Sequence, residues 1–285
     1  MKKYTFVAFL FILMGLFFAS CNRQNKVVEH ELNTETYQKD FDELNNRIAE
    51  FENIFVLDNL ETRAGFWKKL GWIIGADALG AVMGSPGGPG LSILVSAGCS
   101  IAAAFSATIV ANDDFTWNNT KSTEKIDEII TSLGSIGIEH NQILQSFFQM
   151  EHPDFNDLST EEISEYIIRK LHVIIQSNYE TDLPSLNQCL TLSSQKIMLP
   201  YYGSDDIGSR CKLLNPELTN EITIIEHCVH TYSSLKDMTD IVTYSEGLST
   251  IIEEATIPET SKTKIKDGAS VAAFSKLYWN DSIKQ

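Results

Sequence analysis

The chain has 285 residues, with 22 Lys and Arg against 38 Asp and Glu, and 43% of its residues are hydrophobic. The acidic balance argues against nucleic acid and anionic membrane surfaces as electrostatic partners. The apolar share supports a packed core and excludes wholesale disorder, and none of the five cysteines has a neighbour at a zinc-site spacing.

The N-terminus opens with Lys2 and Lys3, runs almost unbroken through apolar residues from Phe6 to Phe18, and closes as Leu16-Phe17-Phe18-Ala19-Ser20-Cys21. The apolar run is shorter than the roughly 20 residues a helix needs to span hydrocarbon, and no basic cluster follows it, which fits cleavage better than anchoring. These residues resemble the lipobox of bacterial lipoproteins. The resemblance implies a signal peptide at 1–20, acylation of Cys21 and a mature chain tethered to a membrane by several acyl chains, which together hold firmly where one alone binds only marginally. Residue 22 is Asn, so the Asp that favours inner-membrane retention is missing and the outer membrane is the expected location. Without Lys2 and Lys3 the mature chain carries 20 basic and 38 acidic side chains, a formal charge of −18.

Residues 21–33 read as a polar, lipidated spacer, and residues 34–285 as a single helical domain. From Thr34 to about Thr62 the apolar positions Tyr37, Phe41, Leu44, Ile48, Phe51, Phe55 and Leu57 recur mostly three to four apart, the pattern of an amphipathic helix with an acidic outer face. The segment from Gly71 to Ala111 then holds one charge, Asp77, among Gly, Ala, Ser and aliphatic residues. Ser85-Pro86-Gly87-Gly88-Pro89-Gly90 interrupts it, and two prolines with three glycines cannot continue a helix, so the segment predicts a helical hairpin. Gly71, Gly75, Gly80 and Gly84 in the first arm, and Ser92, Ser96 and Ser100 in the second, recur at or near four-residue spacing, which lets two helix backbones approach closely.

Helices are predicted at Ser122 to Leu133 and Gly137 to Met150. Another starts at Ser159, which forms a capping box with Glu162 and is followed by an apolar stripe of Ile163, Ile167, Leu171 and Ile174. A last helix covers about Lys262 to Trp279. Glu221 to Ile225 is the nearest approach to a strand pattern, and no alternating run demands a sheet. The fold class is therefore all-α, a helical bundle with a central Gly/Ala-rich hairpin.

That hairpin has two possible settings. Its first arm, at about 21 Å of helical rise, is too short to cross a bilayer, whereas the second, Leu91 to Ala111, is long enough. Trp67-Lys68-Lys69 with Trp72 at one end and Trp117 at the other resemble interfacial anchors. Against insertion stand the Ala and Ser content of the second arm and the cost of Asp77 in hydrocarbon. As the core of a bundle, the same residues permit tight crossings.

Few residues suggest chemistry. Glu226-His227-Cys228-Val229-His230 places His227 and His230 three apart on one helical face as weak metal candidates, without the HExxH arrangement that makes such a signal specific. Cys189 and Cys211 flank a turn-rich segment and are the candidate disulfide of an oxidising compartment. No catalytic motif is present, so no enzyme activity and no cofactor are expected. Ile136 to Leu144 contains a His-Asn pair, His140 and Asn141, entering a helix. With the hairpin, the preceding Trp-Lys-Lys and the terminal Ala-rich helix ending in Tyr-Trp, it resembles a group of uncharacterised exported bacterial proteins, a resemblance that implies similarity of fold alone. His140 and Asn141 are the polar pair with the strongest claim to a functional role. The sequence thus points to a lipid-anchored envelope protein with a binding or structural role and a protein partner. The alternatives are a membrane-active, pore-forming toxin-like or immunity protein working through 71–111, and, more weakly, a metal-binding hydrolase.

Overall fold

Helical periodicity in the sequence is realised in three dimensions as an all-α bundle, seen in a computed structural model that describes residues 34–55, 65–106, 123–150 and 207–282, together with positions 159, 162, 165–167, 169–171 and 173–174. The helices are α1 (Thr34–Glu52), α2 (Gly65–Gly84), α3 (Pro89–Ser106), α4 (Thr123–Leu133), α5 (Ile136–Phe148), α6 (Ile207–Leu214), α7 (Thr219–Ser234), α8 (Met238–Glu254) and α9 (Glu259–Ser282). No strand occurs among the described residues, and Glu221 to Ile225 is helical, inside α7. The chain divides into two units between Lys39 and Asp40. All the packing below lies within 40–285.

The hairpin is the centre of that unit. Every residue at 73–82 in α2 and at 92–104 in α3 is buried, as expected of helices apolar on all faces. The two arms pack on one another, α9 and α7 cover α2, and α5 covers α3. Between the arms, Ser85–Gly87 forms a single 3-10 turn. Gly88 follows at φ 90°, where a side chain would be strained, and Pro89 starts α3 at the position where a missing N–H costs nothing. Among the described residues no helix is long and apolar enough to cross a membrane. Trp117 and the end of the predicted second arm, 107–111, lie outside the described residues.

The small residues divide into two sets. A Cβ on Gly84 would lie 2.6 Å from the Leu91 carbonyl oxygen and 2.7 Å from Ser92 Cα, and one on Gly80 would lie 2.7 Å from Ser96 Cα. Gly84 with Ser92 and Gly80 with Ser96 therefore make the close seam, reinforced by the Ser92 hydroxyl donating across it to the Ala81 carbonyl at 2.8 Å. Gly71 and Gly75 behave differently from the expectation that they join this seam. They face Ser233 and Val229 on α7, with room for a Cβ at 3.7 and 3.6 Å. A four-residue repeat drifts around a helix of 3.6 residues per turn, so its two ends meet different neighbours.

Several expected boundaries shift for physical reasons. The first helix stops at Glu52 rather than near Thr62, and a turn follows in which the Ile54 and Phe55 amides donate to the Phe51 and Glu52 carbonyls. The apolar period outlasts the helix because Phe51 and Phe55 both pack on the Tyr244 ring, at 5.7 and 5.4 Å between centroids. α2 begins at Gly65 and takes in Trp67-Lys68-Lys69. The capping box at Ser159 forms as expected: the Ser159 amide donates to Glu162 Oε2 at 2.8 Å and the Glu162 amide to Ser159 Oγ at 3.3 Å. Ile167, Leu171 and Ile174 are buried, while Ile163 lies outside the described residues.

The two glycine sets give a direct test by thermal or denaturant unfolding. Gly80→Ala and Gly84→Ala are expected to destabilise the fold by about 1–3 kcal/mol through overpacking against backbone. Gly71→Ala and Gly75→Ala are expected to be neutral or stabilising by up to about 1 kcal/mol, since Ala is the better helix former.

Candidate functional site

A carboxyl in the middle of an apolar hairpin has to find its donors on other helices. Asp77 on α2 is fully buried, and α9 supplies two donors: the Ser275 hydroxyl, which donates to Oδ2, and Trp279 Nε1 at 3.3 Å from the same oxygen. Ser100 on α3 continues the Gly84–Ser92 and Gly80–Ser96 seam to this point. Its hydroxyl favours the ionised carboxyl, though it meets no partner in good hydrogen-bond geometry. His140 on α5 completes the group, with Nε2 at 3.8 Å from Asp77 Oδ2. The cluster thus draws one or two side chains from each of α2, α3, α5 and α9.

The position of His140 follows from how α5 meets α9. A Cβ on Gly137 would sit 2.3 Å from the Ser270 carbonyl oxygen, so glycine allows the first turn of α5 to lie directly on the α9 backbone. The contact is pinned from both sides: the Gly137 amide donates to Ser270 Oγ at 3.1 Å, and that hydroxyl donates to the Gly134 carbonyl at 2.9 Å. One turn on, Asn141 Nδ2 donates to the Phe274 carbonyl at 2.8 Å, and Asn141 Oδ1 faces His140 Nδ1 at 3.1 Å. His140 and Asn141 have no solvent exposure.

Burial dominates the electrostatics. It raises the Asp77 carboxyl from 3.8 to about 7, against the opposing hydrogen bonds from Ser275 and Trp279 and the nearby Ser100 hydroxyl. It lowers the His140 imidazole from 6.5 to about 4, opposed by the Asn141 contact. Between those two values the pair is therefore uncharged, and at neutral pH the carboxyl is about half ionised. Asp77, Ser100, His140, Asn141, Ser275 and Trp279 are all sealed from solvent in this conformation.

A second buried polar group lies where α1, α7 and α8 meet. Glu52 Oε1 accepts from Thr231 Oγ1 at 2.7 Å and from the Tyr244 hydroxyl at 2.6 Å, while the Tyr232 hydroxyl pairs with Ser245 Oγ at 2.9 Å. Cys228 lies beside them, its thiol pushed up by burial and by Glu52. With the Tyr244 ring between Phe51, Phe55 and Tyr232, this group fastens the end of α1 to α7 and α8.

The other predicted site residues are dispersed. His227 and His230 are exposed on α7, and Glu226 is held by Lys212 at 2.6 Å rather than turned toward His230. No group of three His, Cys, Asp or Glu side chains suited to a metal ion occurs among the described residues. Cys211 is buried in α6, whereas Cys189 and Cys21 lie outside the described residues. Ser275 was not singled out by sequence, and Trp279 only as the Tyr-Trp end of the last helix. The available signal was Asp77, a lone charge in a long apolar segment, which demands hydrogen-bond donors from elsewhere in the chain.

The fold and its polar centre define a class: an all-α bundle built around an enclosed Gly/Ala/Ser hairpin with an Asp-His-Asn core. Comparison with protein families, curated proteins and solved structures finds no match to this chain.

Asn141→Leu is expected to leave His140 Nδ1 without a partner and to remove the side-chain donor from the Phe274 carbonyl, at a cost of about 1–3 kcal/mol. Ser275→Ala is expected to cost a similar amount by removing a donor from Asp77. The exposed Gln142→Ala, on the opposite face of the same turn, should change stability by less than about 0.5 kcal/mol, as chemical denaturation would show.

Proposed function

We propose that this protein is a lipid-anchored component of the bacterial cell envelope, tethered through Cys21, with a non-enzymatic role in binding a protein partner or in envelope structure. The observation that carries the proposal is the enclosure of the hairpin: residues 73–82 and 92–104 are buried throughout, and Gly80 and Gly84 lie directly against the facing backbone. A hairpin so interlocked serves as the frame of the bundle, which leaves recognition to the outer helix faces. Those faces are acidic, with Asp42, Glu43 and Glu50 exposed on α1, Glu124 and Asp127 on α4, and Glu246, Glu253 and Glu254 on α8. The sealing of the Asp77 cluster from solvent supports a structural rather than a catalytic role for its polar groups.

Two measurements test the proposal. Metabolic labelling with a fatty acid should mark the wild-type chain and not Cys21→Ser. Residues 22–285, prepared without detergent and mixed with dye-loaded vesicles, should stay in the aqueous fraction and release no dye. Flotation with dye release would transfer the function to the 71–111 hairpin.

A further inference from the structure

The hydrogen bonds around His140 determine where its ring proton sits. Asn141 Nδ2 donates to the Phe274 carbonyl, which turns Asn141 Oδ1, an acceptor, toward His140 Nδ1. Nδ1 must therefore carry the ring proton, and Nε2 of the neutral ring is a bare acceptor. Nε2 has no hydrogen-bond partner and faces Asp77 Oδ2 at 3.8 Å. Oδ2 already accepts from Ser275 and Trp279, and Oδ1 has no partner. Without a proton of its own, this site would hold a buried carboxylate pointed at a nitrogen lone pair, with no cation beside it among the described residues. A dry interior opposes that arrangement strongly.

Among the described residues, the groups around the site supply no compensating charge. On α9, Tyr278 faces Asp77, and its phenol is pushed up by burial and then by Asp77, so it remains neutral. Lys276 on the same helix donates to the Ser233 carbonyl at 3.0 Å. On α3 the facing group is the Ser100 hydroxyl, and on α5 it is His140 itself. α7 turns Val229 and Ser233 toward α2, and its Cys228 belongs to the Glu52 group.

We propose that Asp77 and His140 form one buried proton-binding site, in which a single proton rides on Asp77 and keeps the junction of hairpin, α5 and α9 uncharged. In the unfolded chain, near pH 5, His140 carries that proton as imidazolium and Asp77 is ionised. On folding, the N–H bond at His140 Nε2 breaks and an O–H bond forms at Asp77, so a separated charge pair becomes a neutral one with no net uptake from solvent. The pair thereby makes a contribution to core stability that does not change between about pH 4 and 6.5.

The directions of the two shifts give the test its signs. Asp77, raised from 3.8 to about 7, contributes stability that is complete below 3.8 and lost as pH climbs to about 7. His140, lowered from 6.5 to about 4, contributes stability that is complete above 6.5 and lost as pH falls to about 4. Between about 4 and 6.5 the two slopes cancel, because the folded and unfolded pairs each bind one proton.

The experiment is denaturant unfolding of the full chain from pH 4 to 7 for wild type, Asp77→Asn, His140→Gln and the double variant. The ratio of the Asp77→Asn unfolding constant to the wild-type value is expected to fall about tenfold per pH unit, and the His140→Gln ratio to rise by about as much. For the double variant the ratio should stay level. Level ratios for both single variants would overturn the proposal. Should the variants fail to fold, nitrogen NMR of the wild-type chain decides. One histidine that stays neutral with its proton on Nδ1 at pH 5 supports the proposal, and finding every histidine doubly protonated there overturns it.

Discussion

A single carboxyl in the middle of an apolar helix constrains the whole bundle. Asp77 cannot reach solvent from α2, and burying a carboxyl without hydrogen-bond donors costs several kcal/mol. The donors come from the last helix, through Ser275 and Trp279, almost two hundred residues away in sequence. The last helix is thereby held against the hairpin, and His140 and Asn141 bring α5 onto the same spot. Hydrophobic burial favours many helix arrangements of similar area, whereas few of them satisfy this carboxyl.

Close packing sets the geometry that makes such a polar centre tolerable. Gly80 and Gly84 let the two arms touch backbone to backbone, and Gly137 does the same for α5 against α9. At these separations the side chains are small and the helices stiff, so polar groups are held at fixed distances. The Ser92 and Ser270 hydroxyls bridge neighbouring helices at two of these crossings. In an interior packed as densely as a crystal, the seam and the polar cluster stand or fall together. The Glu52 group repeats the principle elsewhere in the unit, where its side chain accepts from Thr231 and Tyr244 and closes α1 onto α7 and α8.

Much of this was legible in the residues before any contact was known. The period of the apolar positions, the proline-glycine break and the Ser159–Glu162 capping box are local signals, and local signals survive without tertiary information. The His140–Asn141 pair stands out through its place in a pattern, after the hairpin and entering a helix, that resembles a group of exported bacterial proteins. Ser275 does not stand out, and Trp279 does so only as the Tyr-Trp end of the last helix, because a serine and a tryptophan on an Ala-rich helix look like ordinary packing until the partner across the interface is placed. The first helix was read as too long for a related reason: Phe55 keeps the apolar period although the backbone has already turned at Glu52.

The sequence by itself determined the helical class, the hairpin and its turn, and the lone charge that would have to be neutralised. These follow from backbone sterics, side-chain period and the cost of burying charge, all properties of short stretches of chain. Only the tertiary structure decided that Gly80 and Gly84 line the seam while Gly71 and Gly75 face another helix, and that Asp77 meets His140. Those outcomes depend on which helices cross where. Crossing is settled by the packing of surfaces far apart in sequence, which no local pattern encodes.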